Sequence, residues 1–353
     1  MEEKHNVIFD KKNVLVIGGA GFIGSHLCDE LIQSAKVICV DDYSSGSVNN
    51  ISHLLQNPNF VFLRHDITKP LDLTAYPELD LLQVKFQGIQ EVYYLACPTI
   101  QLGYEEFMLA TAKANSIGVF HGLEIAREYN AKFLLGSSRA VYGDPLEGQQ
   151  QFQEDYWGFV NQLGERASYN EGKRFAETLT LTYKRAYQLD TKIARIFNTY
   201  GPRMMLNAGR MIPDFVKSAI DNNDVVIYGD GTMEDSYCYI DDLIQGLVAL
   251  MQTPVGEPVN LGNDNTFQII DIAKQVITLA GSKSQVLFKP EIQGLVRYAA
   301  PDITRAKRQL GWFPVTDLES GLQRTVTDMM GAQTMSYSSL SPENMHTTTG
   351  LSD

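Results

Sequence analysis

The chain is short of basic residues: 29 Lys and Arg stand against 42 Asp and Glu in 353 residues, a formal net charge of −13. No Lys/Arg run or basic stripe offsets that imbalance, which argues against a nucleic-acid partner. An anionic substrate is attracted only where local arginines overcome the general field, so any phosphate site is expected to be local and specific. Cysteine is scarce as well. Cys28, Cys39, Cys97 and Cys238 each sit in an apolar run and form no Cys-x-x-Cys pair, so they read as buried reduced thiols. The six histidines (His5, His26, His53, His65, His121, His346) lack metal-ligand spacing, and no metal is expected. No stretch approaches the roughly 18 uninterrupted apolar residues that a membrane helix needs. Met1 to Lys12 is charged and has no apolar h-region, so the expected location is cytoplasmic.

What is there is 44% hydrophobic, enough for one large or two intimately packed domains. Val14–Gly18, Val37–Asp41, Phe60–Arg64, Glu91–Cys97, Lys132–Ser137 and Lys192–Phe197 read as buried strands. Helical patterns such as Ile23–Gln33, Phe107–Tyr129 and Glu165–Gln188 lie between them, and this alternation predicts an α/β fold with a doubly wound parallel sheet. Asp72–Gly88 reads as an excursion. From about Arg203 short strands (Val225–Tyr228, Val259–Leu261, Gln285–Phe288) mix with helices (Asp241–Met251, Ile269–Ala280, Ile303–Leu310, Leu318–Met330). The expected division is an N-terminal extension (1–12), a mainly dinucleotide-binding domain (13–202), a smaller, mainly substrate-binding α/β region (203–331) and a mobile tail rich in Ser, Thr and Met (332–353).

Gly18-Gly-Ala-Gly21-Phe22-Ile23-Gly24 follows an apolar strand and opens an amphipathic helix. Glycines there let the backbone approach a pyrophosphate, and the helix aims free N–H groups and its positive dipole end at it. Asp41 ends the second strand about 20 residues on, where a carboxylate accepts bonds from adenosine ribose hydroxyls and repels a 2′-phosphate; the cofactor is then NAD rather than NADP. The plain alternative is a turn aspartate. Asp66, after the third strand, is positioned for the adenine amino group or for capping a helix.

Tyr169-Asn-Glu-Gly-Lys173 sets a phenol and an ammonium four residues apart on one helix face. A lysine charge draws a phenol pKa down from about 10, which makes an acid/base of it. Alone the spacing is common on helix surfaces. Together with the glycine run and with Ser137-Ser138 at a strand end, it assigns Tyr169 as acid/base, Lys173 as its tuner and ribose holder, and Ser138 as the group that orients the substrate oxygen.

The chain resembles the extended short-chain dehydrogenase/reductases (the NAD-dependent epimerase/dehydratase superfamily) and within them the UDP-glucuronate decarboxylases. The stretches that carry this include Gly18–Cys28, Arg64-His-Asp-Ile67, Tyr94-Leu-Ala-Cys-Pro98, Val141–Glu147, Tyr169–Glu177, Ala194–Met204, Tyr228-Gly-Asp-Gly231 and Pro301–Ala306. The resemblance implies a Rossmann-type NAD domain with a smaller substrate domain, tightly held NAD and a homodimer joined through two long helices per subunit. Phe22, Ile23, Ile67, Leu95 and Ala96 would line the cofactor, Asn115 matches a structural asparagine, and Asn198, Arg210 and Tyr228 match nucleotide-binding positions. Asn198 serves equally as a loop cap and Tyr228 as core. Gln101 and Tyr104 would line the sugar side.

The departures cluster. A Thr-Ser-Glu triplet of the decarboxylases is here Ser138-Arg139-Ala140, an arginine before the Cys238-Tyr-Ile-Asp-Asp242 segment is Asp235, and an arginine pair is Ala299-Ala300 with Arg297 nearby. Arg139 and Asp235 read as an exchanged charge pair meeting in the substrate pocket; the alternative has Arg139 facing an anionic substrate. The leading expectation is an NAD-dependent oxidoreductase acting on a secondary alcohol or ketone of a sugar-like or specialised metabolite, without UDP-glucuronate decarboxylation. A nucleotide-sugar decarboxylase or epimerase with a rebuilt pocket is the alternative. A non-catalytic NAD-binding subunit is a third reading, and the retained Ser138, Tyr169 and Lys173 speak against it.

Overall fold

Apolar runs without a polar face have to be covered on both sides. In the computed structural model, which describes residues 10–99, 103–206, 208–291 and 299–339, they form one sheet. Its strands are β1 (Asn13–Ile17), β2 (Lys36–Asp41), β3 (Phe60–Arg64), β4 (Glu91–Tyr94), β5 (Lys132–Ser138), β6 (Thr191–Ile196) and β7 (Pro258–Leu261). They lie in the order β7-β6-β5-β4-β1-β2-β3 with every neighbour parallel. The order reverses between β1 and β4, so a crevice opens beyond their carboxyl ends. Leu15, Ile17, Ile38, Val92, Phe133 and Leu135 pack in one cluster with Val119, Leu123 and Ala126 of a covering helix.

The helices that matter for the site are α1 (Phe22–Leu31), α2 (Tyr104–Lys113), α3 (Val119–Tyr129) and α4 (Ala167–Tyr187). The sequence pattern runs α2 and α3 together from Phe107. The structure starts three residues earlier and inserts a π turn at Ala114–Gly118. There the Asn115 amide donates to Thr111 O (3.0 Å) and the Ser116 hydroxyl to Ala112 O (2.6 Å), side-chain bonds that compete with the helix ladder. Asp72–Gly88 is an excursion of short 3-10 turns and one short helix, and it buries Leu73, Leu79, Leu82 and Val84. The four cysteines are free thiols; Cys97 departs from expectation by being only half-buried.

The expected single domain change at residue 203 is not what the chain does. One compact unit comprises the described residues of Met1–Thr199, Asp235–Thr266 and Val296–Val315, and the other those of Tyr200–Glu234, Phe267–Leu295 and Thr316–Asp353. The chain returns to the first unit because β7 completes the sheet edge, with Pro258 opposite Ile193 and Leu261 opposite Ile196. The helix Ile240–Gln252 buries Leu243, Leu247 and Leu250, and Trp312 donates its indole N–H to Asp242 O at 2.8 Å. The second unit holds the helices Met211–Ile220 and Ile269–Leu279, the parallel pair Val225–Tyr228 with Val286–Lys289, and a helix from Leu318. That last helix continues to Ser339, eight residues into the expected tail, since no Pro or Gly follows Gly331 until Pro342. Residues 340–353 lie outside the described ones. Among the described residues no helix is long and apolar enough to cross a membrane.

One polar tie crosses the first unit. Glu177 of α4 meets Arg195 of β6 through two bonds, from Nε at 3.0 Å and Nη2 at 2.8 Å, with side chains only 9% and 11% exposed. Arg195→Met alone is expected to cost about 3–5 kcal/mol, because it strands a buried carboxylate. The double change Arg195→Met with Glu177→Leu should recover most of that loss. Urea unfolding measures both, and equal losses in the two variants would contradict this account of the pair.

Candidate active site

The glycine run sits at the turn from β1 into α1, where the sheet order reverses. Gly18 has φ +85°, and a Cβ there would lie 2.5 Å from Ala96 N, so the ends of β1 and β4 approach as only glycine permits. A Cβ on Gly24 would come within 2.1 Å of Gly18 O, which fixes how tightly α1 enters the turn. Gly21 caps α1 without any side-chain bond, leaving the first N–H groups of Phe22, Ile23 and Gly24 to an outside acceptor. That is the donor set a pyrophosphate requires, and the residues present fit a dinucleotide.

Asp41 ends β2 beside this turn. Its carboxylate accepts from Ala20 N (3.0 Å) and Tyr43 N (2.8 Å), each bond using one oxygen. Burial pushes the carboxyl up from its ordinary value, against those two bonds, which lower it. The remaining lone pairs suit ribose hydroxyls. Asp66 behaves differently. One of its oxygens takes both the N–H (3.0 Å) and the hydroxyl (2.7 Å) of Thr68, and Lys69 stands 3.9 Å from the other. Burial raises this carboxyl, but the Thr68 bonds and the neighbouring charges outweigh it and the net shift is downward. Asp66 therefore caps its own turn through one oxygen, which is compatible with the adenine contact expected of the other. Ile67 is buried, and Leu95 and Ala96, just beyond β4, are half-buried.

The catalytic candidates share one corner. Lys173 is 3% exposed, donates to Gly136 O at 2.8 Å and holds its ammonium 6.0 Å from the centroid of the Tyr169 ring. Ser137 and Ser138 divide the strand end. The Ser137 hydroxyl donates to Glu177 at 2.6 Å and so belongs to the bracing of α4, whereas Ser138 accepts from Ala140 N at 3.2 Å. The proton of Ser138 has no acceptor among the described residues, so it is available to a substrate oxygen. Asn115 is fully buried at the π turn, donates to Thr111 O and Cys97 Sγ, and keeps an unpaired Oδ1. A hydroxyl, a phenol and an ammonium in this order can pass a proton to or from an alcohol.

Arg139 and Asp235 do pair, at 3.0 Å, with side chains 15% and 17% exposed. The Asn198 amide donates to the second Asp235 oxygen at 2.7 Å, and Ser236 N to the first at 2.8 Å. Both Asp235 oxygens are thus bonded within the protein, and the Asn198 amide nitrogen is committed to one of them. Ala299 and Ala300 are buried, Ala299 in an apolar cluster with Val141, Tyr142, Phe152 and Phe197, so small side chains there serve packing. Arg210 and Tyr228 belong to the second unit, Arg210 capping a helix and Tyr228 46% exposed. Gln101 and Arg297 lie outside the described residues.

Tyr104 is buried and bonded to the Ser168 hydroxyl at 2.6 Å. Beside it stands Arg166, which sequence reasoning did not single out: its guanidinium lies 5.7 Å from the Tyr104 ring centroid and 5.5 Å from that of Tyr169. The signal was its place one helical turn before Tyr169. A surface cleft of about 530 Å³, lined by Gln149, Gln150, Gln151, Gln153, Asp155 and Tyr156, shares no residue with this corner, so no chemistry is assigned to it. Among the described residues no group of three His, Cys, Asp or Glu side chains is arranged to hold a metal ion.

A family model described as the NAD dependent epimerase/dehydratase family matches residues 14–262. UDP-glucuronic acid decarboxylase 1 of Arabidopsis thaliana is 42% identical over 316 residues, 89% of this chain and 69% of that protein. The solved UDP-glucose 4-epimerase of Thermotoga maritima with UDP-glucose is 29% identical with a TM-score of 0.79, covering 91% of this chain and 99% of that one. The UDP-glucuronic acid 4-epimerase of Bacillus cereus, in complex with UDP-glucuronic acid and NAD, is 27% identical with a TM-score of 0.78 over 91% of this chain and 99% of that one.

A double-mutant cycle of Arg139→Ala and Asp235→Ala should return a coupling of about 1–3 kcal/mol, since the two are close and largely shielded from water. Strictly additive losses would mean that the pair carries no energy of its own.

Proposed function

The chain belongs to the NAD dependent epimerase/dehydratase family, and on that footing we propose that it acts on a nucleotide sugar. It oxidises one secondary hydroxyl and reduces the ketone again within the same turnover, as a decarboxylase or an epimerase does. The observation that carries this reading is the anchoring of Lys173 to Gly136 of β5, with Tyr169 one turn earlier on α4 and Ser138 two residues further along the strand end.

When bound, NAD supplies the hydride acceptor and then the donor. The residues do the rest. The free N–H groups at the start of α1 would hold the pyrophosphate, and Asp41 would hold the adenosine ribose. Ser138 donates to the reacting oxygen and fixes its position. Tyr169 takes the hydroxyl proton as the carbonyl forms and returns it on reduction. Lys173, held by Gly136, sets its ammonium beside that phenol and would bond the nicotinamide ribose.

A net oxidoreductase on a non-nucleotide alcohol is the second reading. Its support is the pairing of Arg139, Asp235 and Asn198 with one another, where the decarboxylases keep an arginine in place of Asp235. The UDP-sugar enzymes among the relatives and the solved structures favour the first. Purified protein incubated with NAD and UDP-glucuronate, followed by mass spectrometry and NADH absorbance, separates them. The expected result is a changed UDP-sugar with no accumulating NADH. NADH rising in step with product would establish the second reading, and no turnover would send the search to other alcohols. Tyr169→Phe should retain NAD and lose roughly 10²–10⁴-fold in turnover.

The assembly proposed is a homodimer. Leu109 of α2, Phe120 of α3 and Phe175 of α4 are 67%, 44% and 50% exposed on the two long helical stretches, and a second copy would cover them. Sedimentation at micromolar concentration should give twice the 39.4 kDa chain mass; a monomer would exclude this assembly.

A further inference from the structure

We infer that the glutamine-lined cleft on the first unit is a second binding site, one that takes a neutral saccharide. It stands apart from the proton-transfer corner, so the inference does not depend on the reaction proposed above.

The cleft has a volume of about 530 Å³, and four of its six lining residues are Gln149, Gln150, Gln151 and Gln153. Its wall is tied down. The strand Gln151–Phe152 pairs with Ala300–Pro301, Ala300 N donates to Gln150 O at 3.2 Å, and Asp302 N donates to Phe152 O at 2.9 Å. Two of the glutamines serve the same purpose: Gln149 accepts from Leu146 N at 3.0 Å, and Gln153 donates to Asp302 at 3.2 Å. The side chains of Gln150, Gln151 and Asp155 are exposed and make no bond among the described residues. Tyr156 completes the lining. The rings of Tyr142, Phe152 and Tyr156 are nearly parallel, with Phe152 4.7 Å from Tyr142 and 5.9 Å from Tyr156, which fixes the phenol. The Tyr156 hydroxyl is buried and has no hydrogen-bond partner. A buried donor left unbonded is costly, and it calls for a partner that arrives from outside.

The lining selects the ligand. It holds no lysine, arginine or aliphatic side chain, so a phosphate finds no counter-charge and a lipid no apolar wall. The unpaired Asp155 repels an anion besides. A side-chain amide donates and accepts, a carboxylate accepts, and a phenol does either. A sugar answers such a set without charge. Its hydroxyls each donate and accept, they stand on neighbouring carbons where one amide meets two of them, and its ring lays an apolar face on an aromatic one. A second hollow of about 260 Å³ shares Gln153 and Asp155 and continues to Thr304 and Gln309, which gives the site length for more than one ring.

Cellobiose, maltose and xylobiose, each titrated by calorimetry, test this. At least one should bind with a Kd of roughly 0.1–10 mM, and UDP-glucuronate should not displace it. Trp157 follows Tyr156 and is 91% exposed, whereas the other tryptophan, Trp312, is 6% exposed. The bound saccharide should therefore change the fluorescence of the wild type and not that of Trp157→Phe. Asp155→Ala should weaken binding roughly tenfold and Tyr156→Phe roughly threefold to tenfold, the range of one hydrogen bond lost. NAD content and melting temperature should stay as they are in Asp155→Ala, and Asp155→Asn serves in its place should alanine impair folding. An affinity unmoved by the substitutions at both residues would overturn the inference. Displacement by UDP-glucuronate would also overturn it, because the saccharide would then occupy the active site. Absence of saturable binding by all three disaccharides would overturn it and leave the proposed reaction standing.

Discussion

The buried Glu177–Arg195 pair sets the catalytic helix on the sheet, and the rest of the site depends on that setting. Tyr169, Lys173 and Glu177 recur every four residues along α4, so they share a face. Glu177 is tied to Arg195 on β6 and to Ser137 on β5, and Lys173 is tied to Gly136 on β5. Three ties to two adjacent strands leave the helix no freedom to roll. The angular position of Tyr169 is therefore decided by residues one and two turns away. Each tie is shielded from water, so losing one leaves a partner that solvent does not readily satisfy.

Features with a local cause were legible in the sequence. A strand buried on both faces has to be an unbroken apolar run, and a pyrophosphate turn has to be built from glycines, so β1 to β6 and the Gly18–Gly24 cradle could be read directly. The Tyr169–Lys173 spacing is a helix property and was equally readable. Features set by distant partners were not. β7 looks like any short apolar segment until Ile193 and Ile196 are seen beside it, and for that reason the domain change at residue 203 came out too simple. The pattern singled out Ser138 of Ser137-Ser138, but nothing in it says that Ser137 braces the helix; the contact with Glu177 shows that. Asp66 carried two readings, and its bonds to Thr68 show the capping one without bearing on the other.

The Arg139–Asp235 exchange was legible for another reason. Opposite charges that replace other residues of the resembling decarboxylases at two positions suggest contact, and the structure makes that contact at 3.0 Å. Its effect reaches further than two residues, because Asp235 also takes the amide of Asn198. A position where the resemblance implies an arginine in the decarboxylases is here an aspartate closed into a cluster with Arg139 and Asn198. Ala299 and Ala300, buried where an arginine pair would stand, change in the same direction. The charges that the resemblance implies at these positions are withdrawn, and the ties that hold Tyr169 and Lys173 do not run through them.

Withdrawing those charges in an acidic protein sharpens the problem of holding an anion. A paired arginine contributes little to an incoming carboxylate, because its own acid competes, and an exposed one is screened by water and salt. A guanidinium laid against two aromatic rings avoids both losses: it is partly desolvated, it is oriented, and it stays charged. Arg166 is placed in that way between Tyr104 and Tyr169, and the ring that orients it is also the proposed acid/base. The position of that charge and the position of the phenol therefore depend on one local geometry.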